Sequence, residues 1–160
     1  MSKIESTAVI ESGAVIGDDC YIGHFTLIRK GARIGNKTQV RSHCYIGEDV
    51  VIGNQVIIRP FSDICKSTVI EDKAFVAMGC ITSNTRNIAY LRDYDDINTP
   101  PRICYAARIG VSVTLLPGVV IGENCLIGGG SVVTKNTKPK GVYIGVPAKY
   151  IKDVSEDEIL

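Results

Sequence analysis

Aliphatic side chains return along this chain at every sixth position. From Ile4 the series runs through Ile10, Ile16, Ile22, Ile28, Ile34, Val40, Ile46, Ile52, Ile58, Ile64 and Ile70 to Val76, 13 consecutive positions held only by Ile or Val. A second series, Ile103, Ile109, Leu115, Ile121, Ile127 and Val133, brings the total to 19 hexads. Two residues before each aliphatic stands a small or β-branched side chain, as at Ala8, Ala14, Cys20, Thr26, Ala32 and Thr38 and, in the second series, at Ala107, Val113, Val119, Cys125 and Ser131. Glycine often follows the aliphatic, where it supplies turn backbone that a Cβ would hinder. An amphipathic helix would repeat at roughly 3.6 residues and a half-buried strand at roughly 2, so neither explains the pattern.

A short strand and a turn per hexad does explain it. The aliphatic points inward, and three hexads close one triangular coil of 18 residues. Coils then stack at strand spacing, about 4.8 Å. No coil buries its own core; its neighbours above and below do that. The expected architecture is an all-β parallel solenoid of just over six coils over residues 1–151, followed by the acidic tail Lys152–Leu160, a short helix or a frayed end.

The repeat breaks between Val76 and Ile103, a separation that is not a multiple of six. The segment Thr82–Pro101 holds two Arg, two Tyr, three Asp and a Pro-Pro stop, and is expected to be a loop thrown out of the coils. Long loops in compact domains are usually functional or disordered, and the aromatic content here favours order. A second departure lies on one face. Residues 18 apart stack, so IGHFTL, VRSHCY, IRPFSD and VAMGCI, starting at Ile22, Val40, Ile58 and Val76, lie above one another. Both histidines, His24 and His43, fall there with Arg41, Arg59 and the column Phe25–His43–Phe61, and the loop is expected beside them. A cationic, aromatic-lined patch next to a loop suits an anionic, ring-bearing ligand, whereas a purely structural reading makes the column a ladder of ring contacts.

Composition narrows the class. The 160 residues carry a formal charge of +1, which offers no basic stripe for nucleic acid. The start Met1-Ser2-Lys3 leads straight into repeat sequence with no apolar leader, and the apolar-rich stretch Ile109–Gly122 is too short to span a bilayer. A cytoplasmic protein is expected. Of the six cysteines, Cys20, Cys44, Cys80 and Cys125 sit in the small inward column, where Cys behaves as a small apolar residue. No Cys/His spacing fits a metal site, so no metal is expected.

The repeat and the ending GVYIGVPAKYI (Gly141–Ile151) resemble the hexapeptide acyltransferases, whose fold is a left-handed parallel β-helix. Within that family the chain is similar to the nucleotide-sugar N-acetyltransferases that modify a 3-amino sugar, a precursor class of surface polysaccharide such as lipopolysaccharide. His24-Phe25 stands where those enzymes carry W-H-F, with Gly23 in place of the Trp, Gly31–Gly35 matches their G-A-R-I-G, and Phe75–Asn84 matches the segment ending in their T-N. The resemblance implies that Asn84 orients the substrate amine near the thioester, with Asn87 a second loop asparagine and His24 a proton acceptor. It further implies acetyl-CoA along the later coils, with Lys135, Lys138, Pro147 and Lys149 at its phosphate and adenine end, and a homotrimer with active sites between subunits. Arg41, Arg59 and Arg86 would then pair with a diphosphate, His43 would line the same turn, and Phe61 or Tyr90 would meet the ring. The family's N-P-R becomes Asn87-Ile88-Ala89 here, and its amide-rich turns become Arg41-Ser42-His43 and Arg59-Pro60-Phe61.

A neutral amine attacks a thioester unaided, whereas a hydroxyl needs a base. The loop contains no His, which favours an amine acceptor. The alternatives are an O-acetyltransferase with His24 or His43 as base, or a non-catalytic scaffold. The γ-type carbonic anhydrases that share this fold need three histidine ligands, and this chain has two.

Overall fold

The computed structural model describes residues 1–160 except 89, 92 and 94–96. Three parallel sheets form the faces of a triangular prism. The first face stacks β1 (Lys3–Ile4), β4 (Tyr21–Ile22), β7 (Gln39–Val40), β10 (Ile57–Ile58), β13 (Phe75–Val76), β16 (Arg108–Ile109), β19 (Leu126–Ile127) and β21 (Gly141–Ile144). The second stacks β2 (Val9–Ile10), β5 (Leu27–Ile28), β8 (Tyr45–Ile46), β11 (Asp63–Ile64), β14 (Ile81–Thr82), β17 (Thr114–Leu115) and β20 (Val132–Val133). The third stacks β3 (Val15–Ile16), β6 (Arg33–Ile34), β9 (Val51–Ile52), β12 (Val69–Ile70), β15 (Arg102–Ile103) and β18 (Val120–Ile121).

The first face therefore has eight parallel rungs, more than the expected just over six coils. One added strand, β14 on the second face, comes from Thr82, which the aliphatic series could not reveal. It occupies the inward column as a buried residue, because its hydroxyl accepts from the Cys65 N–H at 2.7 Å and donates to the Asp63 carbonyl. A satisfied hydroxyl is tolerated in a core. The loop thus leaves one residue later than expected, after β14. The other addition is β21, longer than the rest, which pairs with an antiparallel β22 (Lys149–Asp153) to cap the stack. The tail beyond is held: Arg108 pairs with Glu158 in a 3-10 turn at Glu156–Glu158, and the Leu160 N–H donates to Asn124 Oδ1.

Each rung contributes its inward aliphatic to one continuous core, with Ile22, Ile28, Ile46, Ile58, Ile64 and Ile103 fully buried. Burying such a side chain stabilises the fold by about 1.5–3 kcal/mol. Cys20, Cys44, Cys80 and Cys125 are buried as expected. Burial pushes the Cys44 thiol up to about 11 and the Cys80 thiol to about 12, so neither ionises near neutrality. The small inward column also stitches the corners. Thr26 Oγ1 donates to the Arg41 carbonyl at 2.7 Å, the Cys44 thiol to the Arg59 carbonyl at 3.2 Å, and Ser62 Oγ to the Ala77 carbonyl at 3.2 Å. The N-terminal rung has no rung beneath it and leaves Ile4 45% exposed.

Candidate functional site

The corner between the first and second faces is where the repeat stops looking like scaffold. Its third residue on each rung adopts the left-handed region: φ is 56° at Phe25, 58° at His43 and 61° at Phe61. Bulky residues seldom adopt this backbone. It aims the three side chains outward in register, with ring centroids 5.1 Å apart for Phe25–His43 and 5.0 Å for His43–Phe61. The expected ring column is present and stacked.

Above Phe61 the same corner changes character. The next three left-handed positions are Gly79, Ser112 and Gly130. The first residue of the corner changes in step, from Arg41 and Arg59 to Ala77, Gly110 and Gly128. An apolar groove of about 380 Å³ opens there, lined by Phe75, Ala77, Arg108, Gly110, Leu126 and Gly128. A Cβ at Gly110 would meet the Gly129 nitrogen at 2.6 Å and the Ile127 carbonyl at 2.7 Å, so only glycine lets these rungs close up. Reading one sequence misses this continuity because the loop shifts the register: Phe75 pairs with Arg108, whereas Ile57 pairs with Phe75. The usable signal is the change from IRPFSD to VAMGCI at successive rungs.

The structure separates the loop from this corner. The loop departs between β14 and β15, at the corner joining the second and third faces, so the two breaks flank opposite edges of the second face rather than meeting within the chain. Asn84 is half-buried at the loop base, where its Nδ2 donates to Asn98 Oδ1 at 2.7 Å and its carbonyl accepts from the Thr99 N–H. The Arg86 guanidinium lies against Gly118. Asn87 and Tyr90 are exposed. Ala89, where the family's N-P-R departs, lies outside the described residues, as does Tyr94.

The cations sort differently from their sequence grouping. Arg41 is laid down on the first face, its guanidinium 5.1 Å from the Tyr21 ring and its Nη2 donating to Gln39 Oε1 at 2.8 Å. Arg59 is exposed at the foot of the groove. His24 turns towards the first rung, with Nδ1 2.9 Å from the Thr7 hydroxyl and Nε2 3.5 Å from Glu5. Lys3, hydrogen-bonded to Glu5, holds that carboxyl below its ordinary range, and His24 adds to the effect. On the second face Asp63 is flanked by Tyr45 and Ile81, and burial raises its carboxyl above the ordinary range.

The four positions expected at the cofactor's distal end divide into two places. Pro147 and Lys149 are exposed in the cap, whose Gly145 N–H donates to Ser131 Oγ at the groove corner. Lys135 and Lys138 lie on the chain running to β21 past the third face, where Asn136 Oδ1 accepts from the Val120 N–H. Lys138 is engaged by Asp153 at 2.8 Å and by the Tyr150 ring at 4.1 Å, and its hydrogen bond to Asp153 raises its ammonium above the usual range. A second concavity of about 360 Å³, on the corner between the third and first faces, is framed by a structural ladder in which Asn54 Oδ1 accepts from the Asn36 N–H and Asp72 Oδ1 from the Asn54 N–H. Among the described residues no group of three His, Cys, Asp or Glu is placed to hold a metal, and no helix is long and apolar enough to cross a membrane.

Known proteins share this fold. The family described as bacterial transferase hexapeptide (six repeats) matches residues 25–60 and 101–135. Galactoside O-acetyltransferase of Escherichia coli is 46% identical over 48 residues, which is 30% of this chain and 24% of that protein, so the match spans about a quarter of the relative's length. Among solved structures, a variant of AntD, an N-acyltransferase from Bacillus cereus, in complex with dTDP and coenzyme A superposes with a TM-score of 0.71 at 21% identity, covering 89% of this chain and 85% of that one. A variant of perosamine N-acetyltransferase from Caulobacter crescentus in complex with CoA and GDP-perosamine gives 0.61 at 19% identity, covering 96% and 57%.

Proposed function

We propose that this chain, whose residues 25–60 and 101–135 match the bacterial hexapeptide transferases, is an acetyl-CoA-dependent N-acetyltransferase acting on the amino group of a nucleotide-linked sugar. The observation that carries this reading is the succession at one corner of a ring ladder with exposed Arg59 on the lower rungs and a glycine-lined apolar groove on the rungs above. An extended thioester-bearing chain fits a narrow groove where backbone can be approached closely. A diphosphate fits Arg59, which is not tied to another side chain in the way Arg41 is.

In the reaction the amine nitrogen attacks the thioester carbonyl carbon, the C–S bond breaks, and the proton shed by nitrogen ends on the departing thiolate or on water. The chain's part is to orient the amine, and Asn84 carries that role: its Nδ2 donates to Asn98 and so fixes the amide, leaving Oδ1 to accept from an amine N–H without occupying the nitrogen lone pair. The separation of the loop from the groove corner supports an assembly of several copies, a homotrimer, in which the loop of one copy reaches the groove corner of the next. Exposed Ile88, Tyr90 and Leu91 on that loop are consistent with such a contact.

A second reading, transfer to a hydroxyl, is favoured by one observation: His24 faces a carboxylate through one ring nitrogen and a hydroxyl through the other, the environment of a general base. The test is an acetylation screen over nucleotide amino sugars and matched hydroxyl sugars. Transfer to the amine only, with Asn84→Ala slower by about 100-fold or more, is the expected result. Full turnover by Asn84→Ala, or transfer to hydroxyls that disappears with His24→Ala, would replace it. Sedimentation as a stable monomer would remove the inter-subunit site.

A further inference from the structure

We infer that the step from Phe61 to Gly79 is a nucleobase-stacking slot, in which a planar heteroaromatic ring of the ligand becomes the fourth member of the Phe25–His43–Phe61 ladder. The inference deepens the proposed function and rests on its premise that a nucleotide is bound.

Three observations converge on this step. The ladder is regular, with rings 5.1 and 5.0 Å apart, close to the rung spacing of about 4.8 Å. Its upper member has one face against His43, at 12° between planes, yet Phe61 remains 60% exposed. The next position in the column is Gly79, which has the same left-handed backbone (φ 70°) and the same rung-to-rung hydrogen bond, its N–H donating to the Pro60 carbonyl as the Phe61 N–H donates to the Ser42 carbonyl. Where the column would carry a fourth ring it carries none, and Ser112 and Gly130 keep the next two positions small. Offset-stacked rings sit at roughly 4.5–7 Å between centroids, a range that includes one rung.

The lower end of the ladder does not offer the same opening. The residue below Phe25 in the column is Thr7, whose hydroxyl accepts from the Phe25 N–H and contacts His24, and Glu5 and Lys3 lie alongside as an ion pair. The upper end instead has exposed Arg59 on the same rung, and the next rung carries Gly79 and the groove-lining Ala77. A base stacked on Phe61 would place its phosphates within the neighbourhood of that guanidinium. The ring could belong to the acceptor or to the adenosine end of the acyl donor; the slot recognises what they share, a flat heteroaromatic face.

Gly79→Phe tests this directly, because the same backbone already accepts Phe at 25 and 61 and a Cβ at Gly79 meets nothing nearer than Ser112 Oγ at 3.5 Å. The variant should fold and occupy the slot with its own ring. Calorimetry on the full chain with uridine diphosphate, thymidine diphosphate, 3′,5′-adenosine diphosphate and ring-free pyrophosphate gives the readout. Wild type should bind at least one of the three nucleotides. Gly79→Phe and Phe61→Leu should each weaken that nucleotide about tenfold or more, while pyrophosphate is unchanged and Phe25→Leu shifts it less than about twofold.

Unchanged nucleotide affinity in a folded Gly79→Phe, an equal loss in Phe25→Leu, or a wild type that binds none of the three overturns the slot. If Gly79→Phe fails to melt cooperatively, Phe61→Leu against Phe25→Leu decides alone. Which nucleotide responds identifies the source of the ring. Acetyl transfer to a nucleotide amino sugar, measured in parallel, separates the two proposals. Transfer that persists in Gly79→Phe with unchanged Kd removes the slot and leaves the N-acetyltransferase. Slot-dependent binding without transfer in wild type does the reverse.

Discussion

One corner of the prism is built twice. On the lower rungs it presents Arg41 and Arg59 in one column and Phe25, His43 and Phe61 in another; on the upper rungs the same two columns hold Ala77, Gly110 and Gly128, and Gly79, Ser112 and Gly130. The backbone hardly differs, with left-handed φ between 54° and 70° throughout, and the corner carbonyls are stitched alike. Placing a bulky residue at a left-handed position costs about 1–2 kcal/mol relative to glycine. Lys37, Gln55 and Lys73 hold the same left-handed place at another corner, so the coil tolerates side chains there; what sets this corner apart is that its lower members are stacked rings. The boundary between the two halves is where a ligand can be both stacked upon and admitted.

The sharpest way to break that contrast is to fill the upper half. In Gly110→Val the new side chain collides with the Gly129 and Ile127 backbone and closes the groove. Acetyl-CoA binding should be lost in calorimetry, and overpacking should lower stability by about 1–3 kcal/mol. Retained affinity would mean that the acyl donor lies elsewhere.

A core truncation tests whether both halves share one fold. Ile58→Ala, on the same rung as Arg59, should cost about 2–5 kcal/mol in denaturant unfolding, and Ile4→Ala on the open first rung less than about 1 kcal/mol, because Ile4 is already half-exposed. Equal costs would contradict a continuously stacked core.

The two arginines separate binding from packing. Arg59→Ala should weaken a nucleoside diphosphate by about tenfold, the scale of one charge-assisted contact. Arg41→Ala should change affinity by less than about threefold and act through the lost Tyr21 stacking instead. A larger loss at Arg41 would move the phosphate site down a rung.

The smallest effect concerns Asp63 on the face between the two breaks. Its carboxyl is raised in the folded state by burial, so the folded protein holds that proton more tightly than the unfolded chain does. The associated stability is present below the ordinary value of 3.8 and is lost as pH rises through the raised one. Asp63→Asn should therefore melt slightly higher than wild type at neutral pH and the same at about pH 3. A difference that persists at about pH 3 would point to lost contacts rather than ionisation.

Much of the frame was legible in the residues. The six-residue series places Ile4 to Val76 and Ile103 to Val133 on the inner columns, predicts the burial of Cys20, Cys44, Cys80 and Cys125, and aligns Phe25, His43 and Phe61. Thr82 escaped that reading because its inward place depends on two hydrogen bonds rather than on hydrophobicity. The engagement of Arg41 by Tyr21 and of Lys138 by Asp153 escaped it too, since a long cation's direction follows from what stands beside it.

What the sequence determined by itself was inside against outside at each position, because burial is a local choice repeated at a fixed period. What only the tertiary structure decided was which outside positions share a corner. That assignment needs an unbroken count of 18 residues per coil, and the inserted loop interrupts it, so the step from Phe75 to Arg108 spans the loop as well as a coil. Backbone pairing across the gap restores the count, setting the glycine-lined groove on the rungs above the ring ladder and carrying the loop to the far edge of the second face.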